Sequence, residues 1–560
     1  MNTLLKKTAL FAIGGLFTSL LSAQDEVPHG WHMLDKTKTG FYGISTDKAY
    51  QFVKSKKLKS KTVIVAVIDS GVDTLHEDLK SILWKNPKEI PGNGIDDDKN
   101  GYVDDIYGWN FLGGKDGKSV EQDSYEAGRV YHNFRTKYDG KDITVSELSK
   151  DEQFEYEMWK RAKEEVAGED SKTGALELMF MEKAYKNCLK SDSILRKAMG
   201  KETYTGKELG AFEPNESDAK KAKATIYALM SGNEATESTN TEFLEGFGEY
   251  VDSEKKKADA ANTPPKEYRN EIVGDDYGNF NDRFYGNNDV MVSNKAALHG
   301  THVSGIIGAV RGNNKGMDGV ASNVKIMTVR AVPDGDEHDK DVALAIRYAV
   351  DNGAKVINMS FGKSFSPEKK WVDEAVRYAE SKGVLMVHAA GNDAKNLDSS
   401  FNYPTPQMLE GKKPTNWITV GASGDPKAGG LTASFSNYGK KEVDVFAPGV
   451  KIYATVPGGN TYQNLQGTSM ASPVVAGLAA FILQYYPNLS PAQVKMVIEK
   501  TAKSPGEKVN VPGTDEEANM SELSRSGGII NAYEAIKLAS TLKPEKKPAV
   551  KTQVTVKPKS

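Results

Sequence analysis

Residues 467–473 read Gly467-Thr468-Ser469-Met470-Ala471-Ser472-Pro473, and the ten residues that follow, 474–483, are all apolar or glycine. A helix that is apolar on every side is buried on every side, so the rest of the chain has to supply core around it. Ten residues are too few to cross a bilayer. Proline lacks an N–H and is tolerated in the first turn of a helix, so the helix is predicted to begin between Ser469 and Pro473. That puts Ser469 at the positive end of the helix, on tight backbone. Such a place suits both a nucleophilic hydroxyl and an anion held by backbone N–H groups. The plainer alternative is that Ser472 caps a core helix.

A chain of 560 residues has room for one large domain with an insertion, or for two to four domains. The net charge of −3 gives no reason to expect a nucleic-acid partner. Residues 1–23 have the pattern of a signal peptide: Lys6 and Lys7, an apolar run over 8–21, and Leu21-Ser22-Ala23 before Gln24. An N-terminal membrane anchor is the alternative. The signal reading predicts export to the periplasm or the extracellular medium, with no membrane span in the mature chain. The only cysteine, Cys188, excludes an intramolecular disulfide. It lies in a helical run with Ala184, Tyr185 and Leu189 and reads as a small core residue. Residues 24–60, with Trp31 and an amphipathic stretch near Tyr50, read as an N-terminal arm packed on a domain. Nothing in the sequence specifies an oligomeric state.

Residues 62–68 are a β-branched apolar run ending in Asp69-Ser70-Gly71-Val72-Asp73. Such a run reads as a central parallel strand buried on both faces. Its carboxyl end is where open α/β sheets bind ligands, and Asp69 stands there; the alternative is a helix cap. Residues 93–105 then alternate oxygen-bearing side chains as the start of a calcium loop does. Asp96, Asp98 and Asn100 would ligate Ca2+ by side chain, Tyr102 by its carbonyl, and Asp104 directly or through water. Tyr107 stands at the twelfth position in place of Glu, so this reads as a structural calcium loop and not an EF-hand domain. The alternative is a solvated acidic turn.

Residues 112–271 are charged and predict a helical insertion, with helices near 151–168, 172–199, 217–231 and 241–257. Ser149 and Glu152 form a capping box at the head of the first. The strand–helix pattern resumes at 272. His299-Gly300-Thr301-His302 opens a glycine-rich helix, and a neutral histidine at a helix start can act as a base. Strands are expected over 324–332, 355–359, 384–388 and 417–420, with helices over 341–351 and 367–381. This alternation predicts an α/β fold, a doubly wound, mostly parallel sheet with helices on both faces. Two strands end in Asn358-Met359-Ser360-Phe361-Gly362 and Ala389-Ala390-Gly391-Asn392. An asparagine at such an end serves as a turn residue or as an amide donor aimed into a site. Residues 541–560 are Lys/Pro-rich and expected to be disordered.

Asp69 in its DSGVD motif, His299 in HGTHVSG, Asn392 in AAGND and Ser469 in GTSMASP stand in that chain order. Together they closely resemble the subtilisin-like serine peptidases, the subtilases, over roughly 61–111 and 272–540. The resemblance implies a subtilisin-like catalytic domain, interrupted by the insertion, and a serine endopeptidase acting on protein or peptide substrates. It implies Ser469 as nucleophile, His299 as base and then acid, Asp69 as its orienting carboxylate, and Asn392 with the Ser469 N–H as oxyanion donors. It further implies that Ser360, Phe361 and Gly362 form an edge for an extended substrate, and that Ala389, Ala390 and Gly391 wall the primary pocket. Asn402 would lie near the floor of that pocket and narrow it. Asp78 matches a family position that often ligates calcium. The competing reading is a non-catalytic binding scaffold with the insertion as its binding module.

Overall fold

A computed structural model describes residues 27–232, 235–236 and 238–545. The signal-peptide reading of 1–23 and the tail beyond 545 lie outside the described residues. The chain divides into two compact units. One contains Ala23–Asp123 and Glu267–Ser560, the other Ser124–Lys266.

The larger unit is built on seven strands: β1 (Val63–Asp69), β2 (Gly108–Asn110), β3 (Val324–Arg330), β4 (Val356–Met359), β5 (Leu385–Ala389), β6 (Trp417–Ser423) and β7 (Val445–Pro448). Their order is β2-β3-β1-β4-β5-β6-β7, and every pairing is parallel. β1 sits inside the sheet, with Asp69 opposite Arg330 and Val65 opposite Val356. Side chains alternate across a strand. Val65 and Val67 therefore enter one core with Val356, Leu385, Val387 and Ile418. Ala66 and Ile68 enter the other with Ile357, Met359, Met386 and Trp417. Helices Leu298–Gly308 and Thr468–Tyr485 cover the first face, and Asp339–Asp351 and Lys369–Ser381 the second. Each fully buried Val or Ile contributes roughly 1.5–3 kcal/mol, which is why an uninterrupted apolar run becomes a strand with helices on both sides.

Helix Thr468–Tyr485 departs from the sequence expectation. It runs for 18 residues, long and apolar enough to cross a membrane, but 89% of that window is buried inside the fold, so it is a core helix. It also begins at Thr468, which puts Pro473 inside it rather than in its first turn. A proline there removes the hydrogen bond to the carbonyl four residues back. That carbonyl belongs to Ser469, and the Ser360 hydroxyl donates to it at 2.9 Å. The break thus frees the Ser469 backbone to be tied to the end of β4.

The N-terminal arm is bonded into this unit. Trp31 is fully buried and its Nε1 donates to Val450 O at 3.1 Å, while Ala532 N donates to Ile44 O. At the other end, Leu542 packs on the core and Gln493 Nε2 donates to Lys543 O at 2.8 Å. Ordered chain therefore continues to 545, past the expected onset of disorder at 541.

The smaller unit is helical, with helices Glu126–Tyr138, Lys150–Ala167, Glu169–Met199, Gly206–Ala211, Ser217–Gly232 and Asn240–Asp259. Capping boxes start three of them: Ser149 with Glu152, Thr205 with Glu208, and Thr239 with Glu242. Each box satisfies two N–H groups that a helix start would otherwise leave bare. Cys188 is buried with Leu178, Leu244, Phe247 and Val251, and burial pushes its thiol up to about 11. At that value it is an inert core residue.

Candidate active site

Because β1, β4 and β5 are parallel, their carboxyl ends share one edge of the sheet. Asp69 is the last residue of β1 and is almost fully buried. Its Oδ1 accepts from Ser70 N and from His299 Nδ1, both at 2.8 Å. The carboxylate cannot donate, so Nδ1 carries the proton and Nε2 is left free to accept one. His299 is the second residue of its helix, and its side chain is about a third exposed, at 36%. Gly300 permits this approach, since a Cβ there would lie 2.2 Å from Gly71 O and 3.1 Å from Asp69 Oδ1. Burial pulls the His299 pKa down, but the charge and hydrogen bond of Asp69 outweigh it, and the net shift is upward. His302 differs. Its Nε2 donates to Gln463 O at 3.0 Å, and burial holds it down at about 3, so it is a neutral structural residue.

Ser469 is the second residue of its helix. Its hydroxyl donates to Ser360 O at 3.0 Å rather than to His299. Asn392 Oδ1 accepts from both the N–H (2.8 Å) and the hydroxyl (2.9 Å) of Thr468. Both bonds require oxygen at that position, which fixes the amide so that Nδ2 is the outward donor. Gly467 lies beside it with φ 152°. A Cβ on Gly467 would sit 3.4 Å from Asn392 Nδ2 and 3.6 Å from Ser469 N. Both nitrogens therefore lie beside one position, at a glycine whose positive φ disfavours any side chain. Asn358, by contrast, is a buried bracket. Its Nδ2 donates to Ser360 Oγ, and its Oδ1 accepts from Ser472 Oγ, each at 2.9 Å. Ser472 is thus not a helix cap.

Ser360, Phe361 and Gly362 lead away from β4, while Ala389 ends β5 and Ala390 and Gly391 follow it. His388 Nε2 donates to Phe361 O at 2.8 Å, and the backbones of Lys363 and Tyr403 exchange hydrogen bonds at 3.0 and 2.7 Å. Asn402 lies between the two segments, its Nδ2 donating to Ala389 O at 3.0 Å. Asn437 braces the second segment: Nδ2 donates to Ala390 O at 2.8 Å, and Oδ1 accepts from Asp393 N and Lys395 N. Sequence reasoning missed Thr468 and Asn437. Thr468 could have been found inside the quoted serine motif, whereas Asn437 is in a loop with no local signal.

The acidic loop folds around a different carboxylate set from the one expected. One oxygen each of Glu89, Asp96 and Asp98 lie within 4.8 Å of one another. Asp104 turns away from them, since its carboxylate accepts from the N–H groups of Gly92, Asn93 and Gly94 at 2.7, 3.3 and 2.8 Å. Its φ of 53° helps turn it that way. Asp104 thus anchors the 92–94 turn and is not among the clustered carboxylates, where Glu89 stands instead. Asn100 N donates to Asp96 Oδ1 at 3.0 Å and Asp98 Oδ1 at 3.1 Å, which keeps Asn100 beside the cluster, and Asn100 Oδ1 accepts from Tyr102 N at 2.8 Å. Asp78, the other candidate, is buried with both oxygens engaged by neutral donors, Tyr462 Oη at 2.7 Å and Asn313 Nδ2 at 2.5 Å. Asp78 is not among the clustered carboxylates.

This edge of the parallel sheet thus brings together a serine at a helix start, a carboxylate-paired histidine and an asparagine amide. Residues 60–526 match the model of the subtilase family, and the chain belongs to that family. It is 41% identical over 217 residues to the thermophilic serine proteinase of Bacillus sp. (strain AK1), covering 39% of this chain and 48% of that protein. It is 41% identical over 212 residues to subtilisin DY of Bacillus licheniformis, covering 37% of this chain and 72% of that one. Among solved structures, a protease of Pseudoalteromonas arctica is 31% identical, covering 43% of this chain and 70% of that chain, with a TM-score of 0.35. The chain thus spans about half the length of the thermophilic proteinase and about seven tenths of subtilisin DY.

Proposed function

We propose that the chain is an exported serine endopeptidase that cleaves peptide bonds through an acyl-enzyme. Ser469 attacks the carbonyl, and His299 Nε2 takes its proton and returns it to the leaving amine. Asp69 holds the Nδ1 tautomer and stabilises the imidazolium. Asn392 Nδ2 and Ser469 N hold the oxyanion. The substrate lies extended against Ser360, Phe361 and Gly362, with Ala389, Ala390 and Gly391 as the wall of its primary pocket. The observation that carries this reading is the 2.8 Å Asp69–His299 bond, combined with the Asn392 amide nitrogen and the Ser469 N–H lying beside one another at Gly467. Export agrees with the N-terminal pattern of the sequence and with relatives such as an extracellular protease of Xanthomonas campestris. A fluorophosphonate probe is expected to label the purified protein at Ser469, located by peptide mass spectrometry. A folded chain that stays unlabelled would instead be a scaffold that binds without cutting.

We further propose that Glu89, Asp96 and Asp98 hold a structural Ca2+, with Asn100 and the Tyr102 carbonyl as further oxygen donors. All of these donors are hard oxygens, which suits calcium. Three carboxylates this close repel one another, and the exposed Lys88 ammonium, 3.7 Å from Asp98, offsets only part of that repulsion. Removing calcium with a chelator is expected to lower Tm by about 5 °C, the size expected when a ligand at roughly a hundred times its Kd is withdrawn. Asp98→Asn should abolish that dependence. A melting curve indifferent to chelation would rule the site out.

A further inference from the structure

Asn392 Nδ2 can meet an oxyanion only if the turn that carries it is held still. That turn follows the end of β5, and its backbone enters the left-handed region twice, at Gly391 (φ 98°) and at Ala394 (φ 53°). Alanine keeps such a conformation only where its surroundings impose it. Much of the restraint comes from one residue. Asn437 is buried in the loop that joins β6 to β7, and it grips the turn on both sides of Asn392. Ahead of Asn392, its N–H donates to Gly391 O and its Nδ2 to Ala390 O, both at 2.8 Å. Beyond Asn392, its Oδ1 accepts from Asp393 N at 3.1 Å and from Lys395 N at 2.8 Å, one on each side of Ala394. A carboxamide carries its donor and its acceptor on separate atoms, so one side chain serves both flanks; aspartate has no donor. Asn437 is itself tied to the sheet, because Ser436 Oγ accepts from Ala422 N of β6 at 2.9 Å and donates to Asn437 O at 2.8 Å. It also fits closely: a Cβ on Gly391 would lie 2.4 Å from Asn437 Nδ2.

We propose that Asn437 is a positioning residue for the oxyanion site: it sets where Asn392 stands, while Thr468 sets which way the Asn392 amide faces. The inference rests on Asn392 being an oxyanion donor and deepens that reading. The four bonds from Asn437 all go to backbone groups of residues 390–395, so its removal loosens the place of the donor without removing the donor. An oxyanion forms only on the way through the tetrahedral intermediate. A displaced donor therefore lowers kcat and leaves KM nearly unchanged. A displacement of about 1 Å is enough to cost about 10²-fold.

The test is a double-mutant cycle of Asn437→Ala and Asn392→Ala. It is read by steady-state kinetics on a peptide p-nitroanilide, with active sites counted by fluorophosphonate titration. In the wild-type background Asn437→Ala is expected to lower kcat by at least about tenfold, with KM within about threefold. In the Asn392→Ala background the same change is expected to cost less than about twofold, because the group it positions is gone. An equal loss in both backgrounds overturns the proposal, since a general loosening of the fold acts in each. So does a rise in KM with kcat unchanged. Asn392→Ala at near-wild-type kcat would instead remove the oxyanion reading, and this inference with it. Amide hydrogen exchange of the wild-type protein keeps the test decisive if Asn437→Ala does not fold. The Asp393 and Lys395 N–H groups are expected to exchange at least about a hundredfold more slowly than in an unstructured peptide. Exchange at the unstructured rate overturns the clamp.

Discussion

Ser469→Ala is expected to lower kcat by about 10⁶-fold while leaving thermal stability unchanged within a degree or two. The magnitude is that of the equivalent change in subtilisin itself, carried over through family membership. The stability half of the expectation comes from the local geometry. The Ser469 hydroxyl makes one hydrogen bond, to Ser360 O. The bond that ties this turn to β4 runs the other way, from Ser360 Oγ to the Ser469 carbonyl, and alanine keeps that carbonyl. Alanine also favours helix over serine by a few tenths of a kcal/mol, which offsets the lost bond. Steady-state kinetics on a peptide amide and a calorimetric melt read the two halves separately. Retention of more than about 1% of the activity, with contaminating protease excluded, would show that Ser469 is not the nucleophile.

The layout of the site was legible because it follows from local pattern. The apolar run at 62–68 could only be a doubly buried strand, and its alternation into two cores puts Asp69 at the sheet's carboxyl edge. The four long helices between residues 150 and 259 were legible for a similar reason: a box such as Ser149 with Glu152 is written into adjacent residues. What escaped was set by distant parts of the chain. Pro473 was assigned to a first turn on helix statistics, but a hydroxyl 113 residues earlier in the chain, on Ser360, satisfies the carbonyl it orphans. Asp104 looked like the next ligand in an alternating series, but a positive φ swings it to the 92–94 turn, and Glu89 comes from outside the repeat. Helix Glu126–Tyr138 was overlooked because its buried face includes the ion pair of Glu126 and Arg129, 2.7 Å apart, which a search for apolar periodicity passes over. β2 has only three residues, too few to show any period.

Asp69→Asn is the second large effect, an expected loss of about 10⁴-fold in kcat, the scale seen when this carboxylate is neutralised in serine proteases. Asp69 Oδ1 already accepts two N–H groups, from Ser70 and His299, so an asparagine amide fits the same position, but its NH2 turned toward His299 makes Nδ1 the acceptor. The imidazole would then keep its place, and what disappears is the negative charge together with the enforced Nδ1 tautomer. That charge has a second readout. His299 must be neutral to act as a base, so activity falls as pH drops through its pKa. In the wild type, burial pulls that pKa down while the charge and hydrogen bond of Asp69 raise it further, so the net value lies above the ordinary 6.5. The acidic limb of kcat/KM is therefore expected above pH 6.5. Without the charge the lowering effect of burial dominates, and the limb should move to lower pH. A purely structural role for Asp69 predicts a lower plateau on an unmoved limb. A pH–kcat/KM profile of both proteins separates the two, and an unshifted limb in a folded Asp69→Asn variant would mean that Asp69 positions the imidazole without stabilising its charged form.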